Sequence, residues 1–454
     1  MKALALCLAA WLLLAGGLAA QGVSEPLRRL TLQRPEELSL AAWTRPETRP
    51  AAVEFGAWSA PAYLVFGEPD NNASARDAIE STLVLDQRLW ARWDTGSGQT
   101  VYARLRHLDF QFGLAPGTAA PRFFEEGLHL DLAYVDLPAD DFEFRLGRQF
   151  FYFGRGIVMN FNLDAVRASF SGGQWSGQLF AGRTPDYQTD LDPVVGRSNR
   201  RFTGAWFSYL TRSDHKPFVY FVDQDDRNDA TLSGQGVRYD SSYVAVGSEG
   251  PLVGDVGYYL EAIREGGHSS TAGSSTGLSG ISARAFLGEV TFHPDRRHHP
   301  TVTLGAYAGS GDPDRGSVVT AAAGSRAGTE DTAFVGTGRF DAELALSPRL
   351  SNLVALRLGG TYQFLEKAVD DEILEAAASV WVFRKDEPAG PISNGAASLP
   401  DGDVGTSLDA ALAWKPAHDL TVALRASRFY PGDAFLPANR DPSTTVYTSF
   451  TYSY

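Results

Sequence analysis

Cysteine is nearly absent: the single one among 454 residues is Cys7. It lies inside an N-terminal apolar run, too early for a lipoprotein cleavage site. That excludes a disulfide framework and any thiol site in a chain processed beyond it. Long apolar stretches are also missing. Outside Ala3–Leu18 no window offers the roughly 20 continuous apolar residues of a membrane helix. Basic excess is missing too: the formal net charge is −14, which excludes a nucleic-acid binder. Catalytic and cofactor signatures do not occur. There is no phosphate-binding loop, no dinucleotide fingerprint and no H-E-x-x-H. His293, His298 and His299 sit among prolines at a strand end without metal-ligand spacing. No catalytic residue, metal or cofactor is assigned.

What is present points to a secreted β-protein. Lys2, the apolar run to Leu18 and Leu18-Ala19-Ala20 before Gln21 read as a signal peptide over 1–20. The alternative is a membrane anchor, but the run is short and no positive flank follows it. Residues 21–75 carry Pro26, Pro35, Pro46, Pro50, Pro61 and Pro69 and are expected to form a periplasmic extension. Within it Glu54–Phe66 allows an extra strand. A barrel is expected over 76–454. Glycine is abundant at 46 residues, aromatics make up 12%, and mean hydropathy is only −0.18. These values fit strands that turn one face to lipid and one to water. The chain ends on Thr448, Phe450, Tyr452 and Tyr454 on one face, as expected for a last strand with its tyrosines in an interfacial girdle.

Alternation carries the fold assignment. From Asp140 to Thr184, Phe142, Phe144 and Leu146 alternate with Glu143 and Arg145. After a Gly-rich turn, Val166, Ala168 and Phe170 alternate with Arg167 and Ser169. Period two makes these strands. In a soluble sandwich the apolar face turns inward; in a transmembrane barrel it meets lipid. Strand 100–112 begins with Tyr102, Arg104 and Arg106, then shows Leu108, Phe110 and Phe112, which predicts a change of face and a bulge near Arg106-His107. Further strands are expected at 199–211, 216–224, 235–248, 253–265, 281–293, 300–309, 338–347, 352–366, 373–385, 404–415, 419–429 and 443–454. With those before Arg183 they make an antiparallel transmembrane β-barrel of about 18 strands, 16 to 20 being allowed, wide enough for an aqueous channel. Tight turns (138–140, 347–351, 415–419) alternate with long polar loops (183–199, 266–280, 309–336, 385–403), the periplasmic and extracellular ends of such a barrel.

Phe144-Arg145-Leu146-Gly147-Arg148-Gln149, then Tyr152-Phe153-Gly154, then Phe161-Asn162-Leu163-Asp164-Ala165-Val166-Arg167 resembles the alginate-export family of outer-membrane barrels. In that family an LGRQ strand precedes a short Gly-containing turn and an F-D-(G/A)-V-R strand. Ser310-Gly311-Asp312-Pro313-Asp314 resembles the family's acidic SGD-P loop. Asn162-Leu163 interrupts the phenylalanine–aspartate pair, and Phe150-Phe151 is less polar than the pattern. The resemblance implies 18 strands and passive transport across the outer membrane, of an anionic polysaccharide such as alginate. Outer-membrane lipid, a polar or anionic solute and periplasmic secretion components are the expected partners.

With the apolar face toward lipid, the water-facing side carries Arg88, Arg92, Arg104, Arg106, Arg145, Arg167, Arg357 and Arg425, with Asp86, Asp131, Glu143, Glu261, Glu289 and Asp409 among them. Guanidinium forks suit carboxylates such as those of uronic acids. The same charges can equally pair across strands and stiffen the wall. Arg148, Gln149 and Arg155, beside Gly154-Arg155-Gly156, are candidates for a mouth or constriction. Asp223–Asp226 and Asp312–Asp314 offer oxygen ligands for Ca²⁺ but lack EF-hand spacing, and solvated loop is the simpler account. The expected function is an outer-membrane channel. The alternatives are a barrel lipid hydrolase, which needs a Ser/His pair at the lipid-facing rim, and a structural or adhesive barrel.

Overall fold

Hydrophobic alternation becomes wall in a computed structural model that describes residues 51–454, apart from 75, 76, 78, 116–122, 189, 191, 193–196, 228–230, 233, 234, 273–276, 295–297, 368–371, 418 and 454. The expected signal peptide, most of the expected extension and Tyr454 fall outside the described residues. The wall strands are β1 Ala52–Gly67, β2 Ile79–Asp94, β3 Thr100–Leu114, β4 Phe123–Ala139, β5 Phe142–Phe153 and β6 Met159–Gly172. They continue with β7 Trp175–Arg183, β8 Arg200–Tyr209, β9 Lys216–Asp226, β10 Tyr239–Val253, β11 Val256–Ser270 and β12 Leu278–Phe292. The last are β13 Thr301–Gly309, β14 Leu353–Lys367, β15 Glu372–Arg384, β16 Asp403–Ala417, β17 Leu420–Pro431 and β18 Ser443–Ser453.

Each strand pairs antiparallel with the next, and β18 pairs with β1, so the 18-stranded sheet closes on itself. Closure leaves no free sheet edge and satisfies the backbone within hydrocarbon. The last strand, β18, runs to the short-turn end of the barrel, where Ser453 N donates to Asp419 O at 2.8 Å. Phe142, Phe144, Leu146, Val166, Leu179, Phe207, Val246 and Leu424 are exposed on the outside. The inside carries the buried polar groups, including Asp86, Arg104, Asp131, Glu143 and Arg425. The outer wall is apolar, as the alternation required. Phe170 shares that outer parity, its ring 6.2 Å from Phe142 and 6.1 Å from Phe207.

Three expectations change. Glu54–Phe66 is wall: β1 spans it, so the barrel begins at Ala52 rather than at 76. Conversely, 338–347 is not a strand, and 347–351 is not a tight turn. Both lie in one long connection, 310–352, between β13 and β14. The two changes cancel in the strand count. Third, β3 does not change face. Tyr102, Arg104, Arg106, Leu108, Phe110 and Phe112 all point inward, where the last three pack with Ala62, Leu64 and Val84. The bulges sit on the partner β4, where the register skips Asp131 and Glu126.

Candidate solute pathway

The inner faces of β2 to β6 carry an arc of paired charge. Asp86 lies between two guanidiniums. Arg88 Nε and Nη2 donate to it at 3.1 and 2.9 Å, and Arg106 Nε and Nη2 at 3.0 and 2.8 Å. Arg104 donates to Asp131 at 2.7 Å, and Arg88 Nη1 is 3.9 Å from the same carboxylate. Arg92 donates to Asp94, which also accepts from Thr100. Arg145 holds Asp136 with two bonds of 2.5 and 2.8 Å and lies 3.9 Å from Glu143. Arg167 approaches Glu143 at 3.5 Å. Cross-strand neighbours of opposite sign are the arrangement a sheet face favours. Aromatic faces run through the arc. Trp90, Tyr102 and Tyr134 stack with centroids 6.3 and 5.2 Å apart, and the Arg145 guanidinium covers Tyr134 at 4.0 Å.

Facing this arc, two segments fold into the lumen. The first is the β5–β6 hairpin. β5 pairs with β4 only from Phe142 to Arg148, then leaves it while remaining paired to β6 as far as Phe153. Gly147 is where the strands part. Its φ is +119°, and a Cβ there would lie 2.2 Å from Ala133 O. No other residue type fits that conformation and that approach. The tip reaches the inward faces of β9, β11 and β12, which lie three, five and six strands on from β6. A Cβ at Gly154 would meet Tyr220 Oη at 2.7 Å. Arg155 covers the Tyr259 ring at 4.0 Å and lies 3.5 Å from Glu289.

The second segment is 310–352. It pairs with the hairpin tip: Gly338 N donates to Ile157 O at 2.8 Å, Arg339 N to Gly156 O at 2.6 Å, and Thr337 Oγ1 to Val158 O. It is tied to the wall elsewhere. Val335 N donates to Glu265 at 2.8 Å, Ser269 Oγ to Asp331 at 2.6 Å, and Ser427 Oγ to Glu343 at 2.5 Å. Asn352 then anchors the next loop, accepting from Glu387 N at 2.7 Å and donating to Glu387 O at 3.0 Å. One buried apolar cluster joins Phe151, Phe153, Val158, Phe334 and Phe340 to the inward faces of the wall. The lumen is therefore narrowed by packed protein, not left as a wide tube.

The expected site residues divide accordingly. Arg88, Arg92, Arg104, Arg106, Asp131, Glu143, Arg145 and Arg167 form the arc. Arg155 sits in the narrowing. Arg425 faces inward, bonded to Asp409 at 2.9 and 3.0 Å and to Ala342 O at 3.1 Å, and Arg357 lies over Trp381 at 5.3 Å. Arg148 is not on the inner wall. It shares the parity of Phe144 and Leu146. Once β5 bends inward, that parity faces the parted β4–β5 seam, where Arg148 donates to Asp164 at 2.6 Å and to Leu130 O at 2.5 Å. Tyr187 fills the same seam, stacked 4.1 Å from His129 and accepting from Asn162.

Sequence reasoning did not single out Arg339, Glu343 or Glu265, which hold the inner loop. The acidic stretches proposed for Ca²⁺ are engaged in loop bonds: Asp225 with Arg227, Asp226 with Arg200, and Asp312 with Ser325 and the Asp314 N–H. At the 68–78 connection Glu68, Asp70 and Asp77 come together. Burial, then the Asp70 and Glu68 charges, push the Asp77 carboxyl up to about 7.

A closed antiparallel barrel, apolar outside and charged within, with short turns at one end and long loops at the other, defines an outer-membrane channel. Solved structures of the same fold include Pseudomonas aeruginosa OpdK with vanillate (TM-score 0.56, 11% identity, covering 88% of this chain and 98% of that one). Others are P. aeruginosa OccK2, OpdF (0.55, 13%, 88% and 97%), and OccK11, OpdR (0.52, 13%, 88% and 95%). No curated protein matches by sequence. Residues 117–448 match the family described as alginate export, and the chain belongs to that family. It is an outer-membrane channel for polar or anionic solutes.

Proposed function

We propose that the solute is a uronate-bearing sugar, passed as a short oligomer by guided diffusion along the β2–β6 arc. The observation that carries this reading is the interleaving of paired arginines with stacked aromatic faces on one side of the lumen. A guanidinium that spends two donors on a neighbouring carboxylate keeps three more for sugar hydroxyls or a passing carboxylate. Its local charge is largely neutralised, so each contact is weak and the solute can leave it, as conduction requires. Sugar rings find apolar contact at the half-buried Trp90 and Tyr134, which the buried Tyr102 holds in place between them. No covalent step is involved, and the reading assigns no enzymatic role. Delivery by periplasmic secretion components fits an exporter and is part of the same proposal.

A second reading is favoured by the narrowing at Arg155 and 333–346: small aromatic carboxylates rather than oligomers. The OpdK structure with vanillate supports the comparison. Liposome swelling with glucose, glucuronate, oligouronates and vanillate separates the readings. Uronates outpacing glucose of similar size supports the first. Vanillate passing while oligouronates are excluded supports the second. Equal rates for neutral and acidic sugars removes the arginine-guided route.

A further inference from the structure

We propose that the outer wall carries a site for a phosphorylated lipid of the outer leaflet, built from Arg264 and Arg284 above an apolar groove on β10 to β13. The two arginines are direct partners in the β11–β12 ladder. Both have outward parity, alternating with the buried Ile263, Ala283 and Ala285. Like charges directly opposite one another on a sheet repel. Yet Arg264 donates only to Ser282 Oγ, at 3.1 Å, and neither guanidinium has an acidic partner among the described residues. Asp386 borders the groove, but its Oδ2 accepts from Gly311 N at 3.1 Å.

Position points to the kind of anion that fits. The outward residues one and two rows toward the short turns are Ala262 with Phe286, then Leu260 with Gly288; those toward the loops are Gly266 with Ser282, then His268 with Gly280. The arginine row thus marks the upper limit of the apolar band on these strands, at headgroup level on the loop side. A groove of about 460 Å³ spans this row, lined on the apolar side by Val244, Val246, Ala262, Phe286 and Ala308 and on the loop side by Ser310 and Asp386. An apolar trough ending in two unpaired guanidiniums matches an amphiphile with an acyl chain and a phosphate, which guanidinium forks bind bidentately. The motif recurs. A second outer groove, about 660 Å³, runs along Leu358, Ala378, Val380, Leu408 and Ala426 and has Arg428 on its border.

The test is native mass spectrometry of the full barrel in neutral detergent with bis-phosphorylated lipid A as the probe. The unmodified protein should retain the lipid. The double variant Arg264→Ala, Arg284→Ala should retain at least about tenfold less, the loss of two charge-assisted contacts. Arg264→Lys with Arg284→Lys should recover part of it. Dephosphorylated lipid A should bind the unmodified barrel no better than the probe binds the double variant. Equal retention by the double variant, or equal binding of the phosphate-free lipid, overturns the proposal. Heat-modifiable migration on a gel verifies that each variant is folded, so lost binding is not lost structure.

Discussion

Asp86 shows what a single carboxylate does in this lumen. It holds Arg88 and Arg106 within 3.1 Å on either side and is itself almost fully buried. Replacing it in Asp86→Asn leaves two guanidiniums facing each other. Removing one partner of a buried ion pair costs roughly 3–5 kcal/mol. The expected result is a lower denaturant midpoint for unfolding from lipid vesicles, together with a shift of the reversal potential toward anions. An unchanged reversal potential would mean the arc lies off the solute's path. A different residue reports on pH. The Asp77 carboxyl, raised to about 7 by burial and by Asp70 and Glu68, favours its protonated form in the folded 68–78 connection. Its contribution is fully present below about pH 4 and is lost as the pH rises through about 7. Hydrogen exchange in this connection should be faster at pH 8.5 than at pH 5, and Asp77→Asn should abolish the difference.

At the scale of elements, the β5–β6 hairpin does what its sequence did not announce. Alternation marked β5 as a strand and its apolar residues as lipid-facing, which holds from Phe142 to Leu146. Beyond Gly147 the same period continues but the strand has left the wall, and Phe151 and Phe153, on the face of Glu143 and Arg145, are buried in packed protein rather than facing water. Periodicity reports faces, not which partner a strand keeps. The signal that was available is Gly147 itself, within the LGRQ motif. Forcing a side chain there with Gly147→Val sets a β-branched residue at φ +119° against Ala133 O, at a cost of about 1–3 kcal/mol in backbone strain alone. The hairpin should be displaced, and single-channel conductance should become larger or unstable. Arg155→Ala removes the tip's contacts with Tyr259 and Glu289, worth about 0.5–1 kcal/mol for a partly exposed cation–π pair. It should raise conductance with little effect on the wall's thermal stability. A conductance equal to that of the unmodified protein would show that the tip does not limit the path.

For the molecule as a whole, closure by 18 strands was legible because the lipid-facing alternation is regular and loop lengths alternate. The charged inner face was legible for the same reason. What the sequence hid is how much protein occupies the lumen. Residues 338–347 alternate enough to pass for a strand, yet they bond to Ser427 and Arg425 of the wall and to the hairpin tip instead. An inner loop packs against an inward apolar face, so both sides of the interface look like ordinary strand pattern. Leu108, Phe110 and Phe112 misled in the same way. They were read as a change of face because an apolar residue facing inward is unexpected in a wet barrel. Deleting 333–346, the part of the long connection that packs on the hairpin, should leave the barrel folded and increase conductance severalfold.

The central claim is that uronate-bearing solutes travel along the β2–β6 arc. Single-channel recording in planar bilayers with oligouronates added to one side tests it most directly. Resolved steps of current are expected, with transient, concentration-dependent blocks by the oligomers and loss of those blocks in the variant Arg104→Gln, Arg106→Gln, Arg145→Gln. Absence of single-channel steps, or blocks of unchanged duration in that variant, would contradict it.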